Sequence, residues 1–269
     1  MEYGNQIGKP IILLHGINHS RIMFSIIPGF PFRDDLHLIV PDRPGYGMSD
    51  PFPNSYSVVD YPKDIVELAE SLGLDKFSMF GFSGGAPSTL ACAWQIPERV
   101  SNAGIFGGIG PLNKESRKGI ILGLRALYWL SYRTPFLARF FMNAMPLLVN
   151  RNYKFYTRLL YSRLTENERV AHMSLTPNLV KLDRIEGFRQ GNRASTYDLS
   201  LALNWPIPLE EINSKISIWQ GEEDRYTGNM GRYISKIRPN CSVTIIPDQG
   251  HYWIFEHLEE MLFALINNQ

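Results

Sequence analysis

The feature that most constrains this chain is a serine flanked by glycines between a short apolar run and a helical stretch. Residues 77–80 are followed by Gly81-Phe82-Ser83-Gly84-Gly85, and small apolar residues at 91–93 then indicate a helix. A serine on a sharp turn between strand and helix has a strained backbone that exposes its hydroxyl. The alternative is a chance glycine-rich turn, which the flanking elements disfavour. The turn therefore predicts Ser83 as a nucleophile.

Short apolar runs alternate with longer helical patterns, and this alternation predicts a mostly parallel central sheet flanked by helices. The predicted strands cover residues 10–14, 37–40, 77–80, 103–106, 216–219 and 243–246. Most are near-continuous apolar runs, as strands buried on both faces should be. The clearest helices cover residues 58–72, with Ser57 as N-cap, and residues 253–266.

The alternation stops between about residues 111 and 208. This segment contains several helical patterns and no convincing strand, and it is punctuated by prolines. A helical insertion in an otherwise regular α/β chain predicts a cap over the edge of the sheet. The predicted division is an α/β core of residues 1–110 and 209–269 with a helical cap of residues 111–208.

Composition predicts one large domain and limits its partners. The chain has 269 residues, 44% of them apolar, and a net charge of +1 without a basic run. A nucleic-acid partner is not expected, because it would require a concentrated basic field. Two cysteines are too few for a disulfide framework, and we expect both to be small core residues. A small-molecule substrate is the expected partner, and the sequence is compatible with a homo-oligomer.

Neither a secretion signal nor a membrane span is recognisable. The first ten residues lack an apolar segment, and the most apolar tracts, 119–130 and 135–149, contain arginines. Both tracts are shorter than the roughly 20 residues needed to cross a bilayer. The sequence therefore predicts a cytoplasmic protein without stable membrane insertion.

A serine hydroxyl needs a base to remove its proton, and His251 is the strongest of six histidines. Gly250-His251 follows the last predicted strand and precedes the last helix. This position lies at the carboxyl edge of the sheet, as Ser83 does. His15 is expected to shape its own loop. Three further histidines are more readily explained as structural or solvated: His37, His172 and His257.

The base in turn needs a carboxylate to orient it, and Asp224 follows the predicted strand 216–219 directly. Glu222 and Glu223 are its competitors, and a solvated acidic loop is the alternative explanation. The strand after the helix that follows Ser83 ends in glycines without a carboxylate, which favours Asp224 further. Asp248 is expected to brace the loop of His251.

Negative charge that develops on a carbonyl oxygen must meet fixed N–H donors. The backbone N–H of Gly84, after the nucleophile, is one candidate. Ile17, in the loop after the first predicted strand, is the other. Asn18 and His19 in that loop, together with Phe82, are candidates for contact with substrate.

Five stretches together resemble the α/β-hydrolase fold family: LLHG at 13–16, PDRPGYGMSD at 41–50, GFSGG at 81–85, WQGEED at 219–224 and QGH at 249–251. The resemblance covers nearly the whole chain. It implies a mostly parallel sheet with a helical cap, a Ser83-Asp224-His251 triad, and an acyl-enzyme mechanism without cofactor or metal. The stretch at 41–50 resembles a structural turn near the pocket.

The chain departs from the family pattern in two places. Relatives begin with an antiparallel strand pair, whereas nine residues precede Pro10; the pair is absent or the chain begins within it. Arg225 and Tyr226 follow Asp224, where many relatives carry a proline.

The expected reaction is cleavage of an ester-like bond in a small to medium, mostly apolar substrate. Carbon–carbon bond hydrolysis and cofactor-free peroxide chemistry use the same triad and remain alternatives, whereas a serine nucleophile disfavours dehalogenation. A weakly catalytic ligand-binding homologue is the alternative from another class. A peripheral membrane lipase would need an exposed apolar cap face, with which arginines at 117, 125, 133 and 139 are compatible.

Overall fold

The computed structural model describes residues 1–31, 33–51, 53–162, 164–238 and 241–267. Its strands are β1 (Glu2–Gly4), β2 (Lys9–Leu14), β3 (Leu36–Ile39), β4 (Phe77–Phe82), β5 (Val100–Phe106), β6 (Ile216–Gly221) and β7 (Cys241–Ile246). They form one sheet in the order β1-β3-β2-β4-β5-β6-β7. Only the β1–β3 pair is antiparallel among these described strands. The predicted mostly parallel sheet is confirmed.

Helices occupy both faces of the sheet and the long connection between β5 and β6. They are α1 (Tyr61–Ser71), α2 (Ala86–Gln95), α3 (Leu122–Arg133), α4 (Pro135–Met142), α5 (Ala144–Arg151), α6 (Tyr153–Tyr161), α7 (Glu166–Met173), α8 (Pro177–Gly187), α9 (Arg193–Leu201), α10 (Met230–Ile237) and α11 (Ile254–Asn267). Short 3₁₀ turns cover Met23–Ile26, Val58–Asp60, Ser83–Gly85 and Leu209–Glu211.

The core consists of two apolar layers, one on each face of the sheet, because side chains alternate along a strand. In β2, Ile11 and Leu13 belong to the layer that α11 covers, whereas Ile12 and Leu14 belong to the layer under α1 and α2. This two-sided burial explains why the central strands are near-continuous apolar runs in the sequence.

Three details differ from the sequence-based expectations. The antiparallel edge strand β1 is present, although it is only three residues long. Strand β7 lies at the other edge and exposes its middle residues, so it is not buried on both faces, and Cys241 is only half-buried. Ser57 does form a capping box with Asp60, but it caps the 3₁₀ turn that leads into α1.

The connection between β5 and β6 carries the helices α3–α9, and its described residues contain no strand. Three ion pairs link it to the stretch at 41–50. Asp198 of α9 accepts from Arg43 at 2.7 Å, and Arg21 bridges Asp42 and Glu186 of α8. The boundary between core and cap stays a prediction. Over the described residues, no helix combines the length and apolar character needed to cross a membrane.

Candidate active site

Ser83 is the first residue after β4 and has a φ of +51°, in the left-handed region that non-glycine residues rarely adopt. The glycines on either side allow the turn. A Cβ at Gly81 would lie 2.4 Å from the Thr89 hydroxyl, and one at Gly85 would lie 2.5 Å from the Leu14 carbonyl oxygen. The close approach of α2 to the sheet therefore requires both glycines.

A cavity of about 590 Å³ lies over this turn, and Ser83 and His251 both line it. Phe82 also lines it, with its ring 4.8 Å from that of His251. The helices α3–α6 supply most of the opposite wall through apolar side chains that include Leu124, Leu127 and Met145. The cavity thus has a polar base at the sheet edge and an apolar helical wall.

His251 is paired with Asp224, whose Oδ2 lies 2.8 Å from the His251 Nδ1 atom. Both residues are buried, whereas Glu222 and Glu223 are exposed. Asp224 also accepts hydrogen bonds from the Thr227 hydroxyl at 2.7 Å and from the Tyr226 and Thr227 amides. Burial alone would raise the Asp224 pKa, but His251 and these donors outweigh it and lower the pKa. Asp224 is therefore a carboxylate that orients the imidazole.

Gly107 leaves space for this pair at the end of β5. Its φ is +52°, and a Cβ there would lie 2.8 Å from the His251 Nδ1 atom. In the sequence, the glycines after this strand indicate only that no carboxylate follows it. Of these glycines, Gly107 lets the His251–Asp224 pair pack against backbone.

Glu168 in helix α7 is a site residue that the sequence analysis missed. Its Oε1 accepts the His251 backbone N–H at 2.6 Å, and its Oε2 accepts the Thr165 N–H in a capping box. A Cβ at Gly250 would collide with this carboxylate. The Thr165-x-x-Glu168 pattern was a readable signal for a helix start, but it could not reveal that the same glutamate fixes the His251 loop.

The two candidate oxyanion donors lie side by side. A Cβ at Gly84 would be 3.1 Å from the Ile17 nitrogen. The Ile17 N–H has no hydrogen-bond partner in the described parts of the chain. His15 supports this loop, since its Nδ1–H donates to the Gly16 carbonyl and its Nε2 accepts the Arg43 N–H. Burial and the Arg43 charge lower the His15 pKa to about 3, so the ring is neutral.

Asn18 and His19 also line the cavity, but each is held by a residue from the β5–β6 connection. The Asn18 Oδ1 accepts from the Ser195 hydroxyl at 2.7 Å. The His19 Nδ1 lies 2.6 Å from Asp183 Oδ2 in α8. Burial and the Arg184 charge lower the His19 pKa to about 4, so a neutral imidazole donates to an ionised Asp183. This second His–Asp pair was not predicted.

Arg184, next to Asp183, is a buried guanidinium that lines the cavity. Its Nη1 donates to the Asn18 carbonyl oxygen at 3.3 Å, whereas its Nε–H has no partner among the described residues. The buried Arg43 differs, because it forms an ion pair with Asp198. Within the described chain, no group of three or more side chains is arranged to bind a metal ion.

Comparison with known proteins agrees with this architecture. Residues 9–258 match the sequence profile of the alpha/beta hydrolase fold. The chain belongs to the α/β-hydrolase family. A thermophilic esterase from Thermogutta terrifontis superimposes with a TM-score of 0.67 over 99% of this chain and 90% of its own, at 19% identity. That likeness shows the fold.

Curated proteins that resemble this α/β-hydrolase in sequence include hydrolases. It is 32% identical to an uncharacterized hydrolase, YNR064C, from Saccharomyces cerevisiae over 47% of this chain and 43% of the yeast protein. It is 23% identical to lipase 1 of Psychrobacter immobilis over 96% of this chain and 76% of the lipase. The match to the yeast relative thus spans less than half of that protein.

Proposed function

We propose that this α/β-hydrolase is a serine hydrolase that cleaves an ester-like bond through an acyl-enzyme intermediate. One observation carries the proposal. Ser83, on a strained turn, lines the same cavity as His251, and a buried carboxylate fixes the Nδ1 side of that imidazole. This arrangement leaves the His251 Nε2 available for the serine proton.

In the proposed reaction the Ser83 Oγ attacks the substrate carbonyl carbon while its proton moves to the His251 Nε2. Negative charge on the carbonyl oxygen is met by the N–H groups of Ile17 and Gly84. The tetrahedral intermediate then collapses, and the leaving group takes the proton from His251. A water molecule, deprotonated by His251, hydrolyses the acyl-enzyme and releases the acid and the free serine.

The cavity supports a small to medium, mostly apolar small-molecule substrate. Its volume of about 590 Å³ lies within the usual range for such sites, and its helical wall is apolar. The unsatisfied Nε–H of Arg184 adds one polar requirement, which an oxygen atom of the substrate would meet. The proposal includes a cytoplasmic location, which is based on the amino-acid sequence alone.

A fluorophosphonate probe tests the nucleophile, and p-nitrophenyl esters of increasing chain length test the reaction. We expect the purified protein to be labelled and to hydrolyse esters, and Ser83→Ala to abolish both. Ser88→Ala is the matched control, since Ser88 is also buried but lies in α2. It should keep both activities.

Other outcomes would redirect the assignment. A folded protein that neither reacts with the probe nor turns over esters would be a ligand-binding homologue. Labelling without ester turnover, combined with cleavage of ring-fission diketones or with peroxide-dependent halogenation, would replace ester hydrolysis by one of those reactions.

A further inference from the structure

The helices α3–α6 carry an unusual concentration of exposed aromatic and apolar side chains. Six of them are between 50% and 70% exposed: Trp129, Phe136, Phe140, Phe141, Leu147 and Phe155. We call these six residues, together with the arginines and lysines of the same helices, the outer cap face. Soluble surfaces expose such residues singly, whereas several large ones on neighbouring helices are typical of an interaction site.

The same helices are strongly basic. Residues 122–161 contain six arginines and lysines and no acidic residue. The rest of the chain contains 21 basic and 26 acidic residues. The six cations are Arg125, Arg133, Arg139, Arg151, Lys154 and Arg158. None of them forms an ion pair with another described residue. The face therefore carries positive charge that the rest of the protein does not neutralise locally.

The cations and the aromatic rings share the same sides of their helices. Residues three or four apart lie on one helix face. Trp129 and Arg133 of α3 have this spacing, as do Phe136 and Arg139 of α4. Phe155 and Arg158 repeat it in α6. All six of these side chains are exposed.

We propose that the outer cap face docks peripherally on an anionic lipid surface. Amphipathic helices with basic and aromatic side chains bind at the headgroup level, where rings enter the interface and cations meet lipid phosphates. A second copy of this chain is the less favourable occupant. A symmetric contact would bring six uncompensated cations against six more.

The outer cap face adjoins the cavity, so docking on lipid would bring the cavity close to the membrane. Phe141 is 57% exposed and also lines the cavity, so the outer face and the cavity wall meet at this residue. Leu124 and Leu127 line the cavity from α3, the helix that presents Trp129 outward. An apolar substrate dissolved in lipid would thus have a short path to the cavity. Docking itself does not depend on the proposed chemistry at Ser83.

Vesicle flotation tests the proposal with the full chain carrying Ser83→Ala, so that hydrolysis cannot alter the lipid. We expect binding to vesicles of phosphatidylcholine mixed with phosphatidylglycerol, weakening as salt rises, and little binding to phosphatidylcholine alone. Neutralising three cations, as Arg133→Gln, Arg139→Gln and Arg158→Gln together, should weaken binding about a hundredfold.

The matched control removes three exposed charges elsewhere: Lys9→Gln, Lys63→Gln and Lys76→Gln. It should bind nearly as well as the parent protein. Phe140→Ser should weaken binding without changing its salt dependence. Equal binding by the two triple variants, equal binding to neutral and anionic vesicles, or a stable dimer that Phe140→Ser dissociates would each overturn the proposal.

Discussion

The base of the cavity and its helical wall are built by different physical means. At the base, Asp224 is fixed by four donors besides His251, and the Ser83 turn is fixed by close backbone contacts. The wall formed by α3–α6 consists mainly of apolar side chains. Directional hydrogen bonds place atoms, whereas apolar packing sets only shape. The base is therefore suited to chemistry and the wall to accommodating variable apolar groups.

Two carboxylates from the β5–β6 connection, which also forms the wall, accept hydrogen bonds from residues at the base. Glu168 binds the backbone of His251, and Asp183 binds His19. Both are buried, so the loss of either would leave polar groups of the base without a partner. The base is thus completed by the helices above it, and mutations can perturb the base and the wall separately.

The largest effect is expected at the base, from Asp224→Asn. The amide keeps the shape of the carboxylate but stabilises neither the imidazolium nor the required tautomer, so kcat should fall about 10⁴-fold. Ester hydrolysis by purified variants measures this. Glu223→Gln, an exposed change one residue away, should leave kcat unchanged. Comparable losses in both variants would remove the distinction between Asp224 and its neighbours.

A second effect concerns pH and the free energy of unfolding. His15 has a folded pKa of about 3, and His19 and His172 have values of about 4, because burial disfavours their charged forms. Unfolded histidine binds its proton near pH 6.5, so stability is present above that pH and is lost as pH falls toward 4. Three such groups together give a slope of up to about 4 kcal/mol per pH unit near pH 5, and the slope decreases as pH approaches 4.

Urea unfolding at several pH values measures this slope. The helices α3–α6 contain no histidine, so the acid sensitivity should come from other parts of the protein. His172→Gln should reduce the slope by about a third, because one of three equal contributions is lost. A stability that stays constant from pH 7 to pH 5 would contradict the neutral burial of these rings.

The smallest effect is expected at the wall, from Leu127→Ala. This change enlarges the cavity by shortening a side chain that lines it, so preference among p-nitrophenyl esters should shift toward longer acyl chains by about tenfold or less. Leu122→Ala, on the exposed side of the same helix, is the control and should not shift it. A loss of kcat as large as that from Asp224→Asn would show that the wall takes part in the chemistry.

The sequence predicted the sheet well, because each central strand is a short apolar run that can be recognised from its own residues. Residues 10–14 became β2 with one residue added, and residues 77–80 became β4 once Gly81 and Phe82 were included. The weak points were the sheet edges. Strand β1 is too short to form a pattern, and β7 is apolar in sequence yet exposed, since burial depends on neighbours that a single segment does not specify.

The sequence by itself determined the fold family, the strained serine turn and the positions of His251 and Asp224, because these depend on short motifs next to buried strands. Only the tertiary structure decided that Glu168 supports the His251 loop, that Asp183 pairs with His19, and that Arg184 is buried with its Nε–H unpartnered among the described residues. Glu168 and His251 are 83 residues apart, and Asp183 and His19 are 164 apart. Contacts across such distances follow from how helices pack on a sheet, which no local pattern of residues encodes.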